Sequence, residues 1–164
     1  MNKQLTQSII VDNSHTAESL GSGLLPVFST PAMIALMENT AMKIIELPEG
    51  SSSVGTSISV KHLKASPIGE KITCNATLSL NEGRRYEFQL EVFDSKGDLV
   101  GSGNHERFIV NIEKFMSTLK CSLLIIKAVF ILKTAFMINI PLRVFMRQRL
   151  WRTTPRAAQT INNT

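Results

Sequence analysis

The sequence predicts an α+β domain in which an antiparallel β-sheet wraps one long central helix. Three observations lead there. A helix start signal at Thr30-Pro31 opens a segment that is apolar on nearly every side. Beyond Pro48 the hydrophobic period changes from helical to two. Turn signals at Pro67-Ile68-Gly69, Asn81-Glu82-Gly83 and Ser95-Lys96-Gly97-Asp98 then divide four alternating segments with no helix between them.

Taken in order, Leu5 to Val11 reads as a first strand, and Asp12 to Gly23 as a polar, glycine-containing loop. The Thr30 hydroxyl is suited to cap free backbone N–H groups, and Pro31 fits the first helical position, where its missing donor is not needed. The helix is expected to run to about Glu46, ahead of Pro48. Its apolar residues, from Met33 and Ile34 to Ile44 and Ile45, cover nearly the whole circumference, as in a helix surrounded by protein. The next strand puts Thr56, Ile58, Val60 and His62 on one face, turned towards the helix. Ile72 to Leu80 and Tyr86 to Val92 form a hairpin. Leu99 to about Ile112 is a long last strand in which Gly101 and Gly103 allow a bulge or a sharp bend.

A chain of 164 residues, 43% apolar and 19% charged, suits one globular domain with an appendage. Cys74 and Cys121 cannot supply a disulfide framework, and His15, His62 and His105 have no metal-ligand spacing, so neither a metal nor a bound cofactor is expected. Nothing in the first ten residues reads as a secretory signal, so a cytoplasmic location is expected.

The charge is divided unevenly. Residues 1–115 hold seven lysines and three arginines against all thirteen acids, a net of −3. Residues 116–164 hold three lysines, five arginines and no acid, a net of +8. The two parts are read as a folded domain (1–115) and a basic tail (116–164). For the tail three readings compete: an amphipathic helix on anionic lipid, a marginal membrane anchor broken by Lys127 and Lys133, and an extension never shaped by selection for folding, such as a shifted reading frame. The last is preferred, and membrane contact is disfavoured. Few aromatics accompany the basic residues, and no phosphate-binding loop is present, so nucleic acid is not an expected partner.

Three side chains could carry chemistry. Glu38 lies two turns into the helix with Ile34, Met37, Ala41 and Met42 as neighbours. A carboxylate there is expected to be desolvated and suited to a general base or nucleophile; the alternative is a glutamate at the helix edge. His62, on the inward strand face, is either a catalyst or a satisfied core histidine. Thr30 is either a cap or a participant, with Ser29 having less to recommend it. Together Thr30, Glu38 and His62 offer the hydroxyl, carboxylate and imidazole that hydrolysis of an activated acyl group requires. Asn104-His105-Glu106-Arg107 suits an anion or a solvated edge strand. Lys61 and Lys64 suit a phosphate or solvent.

Four blocks, in order, resemble hot-dog-fold thioesterases of the fluoroacetyl-CoA thioesterase kind. They are Phe-Ser-Thr-Pro-Ala-Met-Ile-Ala-Leu-Met-Glu (28–38), Ser-Val-Gly-Thr-Ser-Ile-Ser-Val-Lys-His (53–62), Glu-Gly-Arg-Arg (82–85) and Gly-Ser-Gly-Asn-His-Glu-Arg (101–107). The resemblance implies a hot-dog fold, hydrolysis of a short acyl-CoA and a homodimer with a site between subunits. It assigns Thr30, Glu38 and His62 as the catalytic set. It also assigns Gly55 as backbone lining the acyl site and Arg107 as a residue near the coenzyme A end of the substrate. Where that family carries an aromatic lid, this chain has Gly21-Ser22-Gly23-Leu24-Leu25, so fluoroacetyl selectivity is not carried over. The rival readings are a hot-dog dehydratase or hydratase and a non-catalytic acyl-CoA-binding or sensing module.

Overall fold

A computed structural model of the chain describes residues 3–119. The chain divides into two units, Met1–Phe115 and Met116–Thr164. All but the first four residues of the second unit, and with them the readings of the basic tail, lie outside the described residues. Among the described residues no helix is long and apolar enough to cross a membrane.

In the first unit one antiparallel sheet contains β1 (Gln4–Ile10), β2 (Ser51–His62), β3 (Lys71–Glu82), β4 (Arg85–Phe93) and β5 (Leu99–Asn111), in the spatial order β1-β3-β4-β5-β2. Short turns make neighbours of β3, β4 and β5, while β1 and β2 form the two edges. A 3₁₀ turn (Asn13–His15), capped by the Asp12 carboxylate, follows β1 within the predicted loop. The helix α1 (Thr30–Met42) packs chiefly on β3.

The core forms where α1 lays Met33, Leu36, Met37 and Ala41 on Ile72, Cys74 and Ala76 of β3 and Phe88, Leu90 and Val92 of β4. Each large apolar side chain buried there contributes about 1.5–3 kcal/mol. Gly101 and Gly103 serve this packing in addition to the expected bulge. A Cβ on Gly101 would stand 2.5 Å from Met33 Sδ, and one on Gly103 would stand 2.5 Å from the Ser59 carbonyl oxygen. Only a residue without a side chain lets α1 and β2 come this close to β5. The bulge lies beside Gly101: Val92 pairs with Gly101 and Phe93 with Leu99, which leaves Val100 as the extra residue.

Several local expectations are corrected. The N-cap of α1 is Ser29, whose Oγ accepts from the Ala32 N–H at 3.1 Å. Thr30 is the first helical residue, which frees its hydroxyl for a tertiary contact. The helix ends at Met42 rather than near Glu46, because the Ile44 and Ile45 N–H groups donate to the carbonyls of Ala41 and Met42. These i→i−3 bonds tighten the last turn and deliver both isoleucines to the core. Nor is the helix covered all round: Pro31 and Ala35 are exposed and Ile34, Glu38, Asn39 and Met42 are half-buried, so one side faces outwards.

The alternation of β2 is interrupted by a bulge between Gly55 and Ser57. The extra residue is Thr56, expected on the inner face. It turns instead to Glu106, donating to its Oε1 at 2.6 Å. The bulge moves the inward positions from Ser53 and Gly55 to Ile58, Val60 and His62. The Asn104–Arg107 segment is not a solvated edge, since β5 lies between β4 and β2 and turns His105 and Arg107 inwards.

Candidate active site

The first group of functional side chains gathers where the start of α1 meets the end of β2. Thr30 Oγ1 and His62 Nδ1 are 3.0 Å apart and share a hydrogen bond. The imidazole stands edge-on to Phe28, with ring centroids 6.0 Å apart. Burial holds the His62 pKa below its ordinary value, partly offset by the backbone of Lys64, so the ring is neutral at pH 7. Its Nε2 is buried without a well-formed hydrogen bond. A cavity of about 370 Å³ opens here, walled by Phe28, Thr30, Pro31 and His62 and by Ala17 and Ser22. The adjoining loop carries Leu24, 92% exposed, and Leu25, 64% exposed.

Lys64 lines the same cavity, but its ammonium is already paired. It donates to Asp94 Oδ2 at 2.6 Å and Asp98 Oδ2 at 2.7 Å, and these carboxylates hold its pKa above the usual lysine range. The phosphate reading of Lys64 therefore gives way to a structural one: it ties the segment after His62 to the β4–β5 turn. Lys61 is exposed.

The second group lies at the middle of β2. The Glu38 side chain is 41% exposed, so the desolvation expected from its helix neighbours is not found within one chain. No described residue donates a hydrogen bond to it; His105 Nε2 stands 3.9 Å from Glu38 Oε1. At Gly55 the backbone comes close to both: a Cβ there would stand 2.9 Å from His105 Cε1 and 3.1 Å from Glu38 Oε1.

Behind Glu38 every polar group is engaged. The His105 side chain is fully buried and its Nδ1 donates to the Ser57 carbonyl at 2.8 Å. Arg107, 6% exposed, donates from Nε to Ser53 Oγ at 3.0 Å, from Nη2 to the Ser53 carbonyl at 2.8 Å and from Nη1 to His105 Nε2 at 3.1 Å. Burial lowers the pKa of Arg107, with Glu38 opposing. Burial also lowers that of His105, helped by Arg107 and opposed by the Ser57 backbone and by Glu38.

Of the five residues singled out from the sequence, the chain thus brings Thr30 to His62, and separately brings Glu38, Gly55 and Arg107 together. Eight helical residues, about 12 Å of rise, separate Thr30 from Glu38. Two contributors were not singled out: Ser53, which holds Arg107, and His105, seen only as part of a polar run. The signal for the latter was the i, i+2 spacing of His105 and Arg107, which puts both on the face shared with Gly103 and Ile109. Among the described residues no group of three or more His, Cys, Asp or Glu could hold a metal ion.

The family model described as fluoroacetyl-CoA-specific thioesterase matches residues 11–113. A fluoroacetyl-CoA thioesterase of Streptantibioticus cattleyicolor is 40% identical over 91 residues, which are 54% of this chain and 65% of that relative. The chain thus spans just under two thirds of that curated relative's length. Among solved structures, a substituted fluoroacetyl-CoA thioesterase in complex with acetyl-CoA superposes with a TM-score of 0.69 at 30% identity, covering 74% of this chain and 96% of that one. A thioesterase-superfamily protein of Thermus thermophilus superposes with a TM-score of 0.71 at 27% identity, covering 77% and 95%. The shared architecture is the hot-dog fold.

Proposed function

The chain belongs to the fluoroacetyl-CoA-specific thioesterase family, and on that premise we propose that it hydrolyses an acyl-CoA thioester to the free acid and coenzyme A. The observation that carries this reading is a half-exposed carboxylate, Glu38, that accepts no hydrogen bond from any described residue while everything behind it is paired. A carboxylate left free in this way is available to react. It takes a proton from water as the oxygen attacks the thioester carbonyl, or attacks that carbonyl itself. By the first route the tetrahedral intermediate expels the thiolate and leaves the acid; by the second it leaves an anhydride of the acyl group with Glu38, which water then hydrolyses to the acid and the free carboxylate, and in both the thiolate takes up a proton. His62, neutral and hydrogen-bonded to Thr30, is the group suited to move that proton. Gly55 lets the acyl group approach Glu38 past a backbone without a Cβ.

Thr30 and His62 stand away from Glu38 within one chain, and this supports an isologous dimer. β2 is an open edge of twelve residues with Gly55 near its middle and His62 at its end. Antiparallel pairing of two such edges carries the His62 end of one strand towards the Gly55 segment of the other. The coenzyme A contact that the resemblance assigns to Arg107 fits this side chain less well, because its guanidinium is buried and bonded to Ser53 and His105. With leucines rather than aromatic rings in the loop beside the cavity, the substrate is a short acyl-CoA without strong fluoroacetyl selectivity.

The test is free-thiol release from a panel of short and branched acyl-CoAs, fluoroacetyl-CoA and acetyl-CoA included, with the full chain beside Glu38→Gln. Release that disappears in the variant is expected. A folded protein that binds coenzyme A but releases no thiol from any thioester would replace this reading with a non-catalytic binding module.

A further inference from the structure

The proposed chemistry does not use His105, yet its ring stands directly behind Glu38 and its hydrogen bonds determine its chemical form. The Ser57 carbonyl only accepts, so Nδ1 carries a proton; the Arg107 guanidinium only donates, so Nε2 presents a lone pair. A second proton on this ring would have to break the Arg107 bond and set two cations side by side in a buried site. The nitrogen that would receive it is also the one 3.9 Å from Glu38 Oε1. A protonated Nε2 would need only a small shift to pair with that carboxylate, and the reacting group would then be occupied.

We propose that Arg107 is a positioning residue that keeps His105 neutral, in its Nδ1–H form, and so prevents an imidazolium from capturing the Glu38 carboxylate. The proposal rests on Glu38 being the reacting group. The charged and titratable groups around His105 are few. Glu38 faces it from α1, Arg107 lies two residues along β5 on the same face, and Glu106 lies on the opposite face. β2 brings no titratable group here: Ile58 lies opposite His105 and Gly55 opposite Arg107, with Ser53 and Ser57 as hydrogen-bond partners; from β4, Phe88 lies opposite His105 and Tyr86 opposite Arg107. Arg107 is therefore the only cation near the ring among the described residues, and the two carboxylates favour the protonated form that it opposes.

The first arm needs no substrate and no variant. In the full chain labelled with ¹⁵N-histidine, the ring nitrogens of His105 report the Nδ1–H tautomer and do not titrate between pH 8 and 5. An Nε2–H tautomer, or titration within that window, overturns the proposal whatever the activity. The second arm uses Arg107→Met, in which His105 titrates and kcat falls about tenfold for each pH unit below the new midpoint. Adding His105→Phe to Arg107→Met removes that acid-side loss, a rescue that a purely structural arginine would not show. A raised KM at every pH, with no rescue in the double variant, identifies Arg107 as a substrate contact and overturns the proposal. If Glu38→Gln keeps full thiol release, it is the reading of Glu38 that has failed; the histidine spectra still stand as measured.

Discussion

The two halves of the candidate site are built in opposite ways. At the start of α1, Thr30 and His62 share one hydrogen bond beside an open cavity, and His62 Nε2 has no well-formed partner. At the middle of β2, His105 and Arg107 sit in a closed network in which Ser53 and the Ser57 carbonyl engage every group behind Glu38. The atoms proposed to react, the Glu38 carboxylate and His62 Nε2, are the ones without a well-formed hydrogen bond, and Glu38 stays so because the groups behind it are satisfied elsewhere. A half-satisfied network would recruit Glu38 as its missing acceptor.

The sharpest way to break this contrast is to remove the carboxylate. Glu38→Gln is expected to lower kcat by about 10²- to 10⁴-fold. It should leave the melting temperature almost unchanged, because Glu38 is half-exposed and no described residue bonds to it. A large loss of stability would show that Glu38 belongs to the closed network. Next comes Gly55→Ala, whose methyl would press on both His105 and Glu38. Misplacing the carboxylate by a fraction of an ångström to one ångström costs up to about 10²-fold in kcat, read from steady-state kinetics beside a circular dichroism spectrum that stays native.

Acid probes both halves together. The pKa values of His62 and His105 are lowered in the folded state, so below the ordinary value near 6.5 the unfolded chain binds more protons than the native one. Stability is therefore full above about pH 6.5 and is lost as pH falls through the lowered values. Thermal melts from pH 8 to pH 4.5 should show this decline, and His105→Phe should flatten it; a melting temperature that rises on acidification would contradict both assignments.

The smallest effects separate two adjacent hydroxyls. Ser29→Ala removes the helix cap and should cost about 1 kcal/mol of stability with turnover per folded molecule retained. Thr30→Val should cost no more than about 0.5 kcal/mol, since its hydrogen bond is exposed, yet it should reduce kcat. Equal behaviour of the two variants would erase the distinction between cap and participant.

Much of this was legible beforehand for a simple reason: side-chain period and turn residues act locally. The alternation of β3 and β4, the turns at Gly69, Gly83 and Gly97 and the proline in the first turn of α1 were all readable within a few residues. Thr30, Glu38 and His62 were singled out as candidates in the same way, through their types and spacing and through the resemblance. The errors arose where a contact distant in sequence took over. Thr30 was read as the cap because nothing local showed His62 waiting for its hydroxyl, 32 residues away. Thr56 was read as inward because a bulge leaves no mark in a serine-rich strand. Lys64 looked free because Asp94 and Asp98 lie 30 and 34 residues on.

By itself, then, the sequence determined one helix and the antiparallel strands around it, and proposed three side chains for acyl chemistry, since hydrophobic period and turns need only near neighbours. The tertiary structure alone decided that β5 is an inner strand, that Arg107 is committed to Ser53 and His105, and that Thr30 with His62 stands apart from Glu38. Those facts depend on strand order, on a one-residue slip in β2 and on the distance along a helix. None of these is a property of a short stretch of chain: each is set when separate elements pack together and buried polar groups must find their partners.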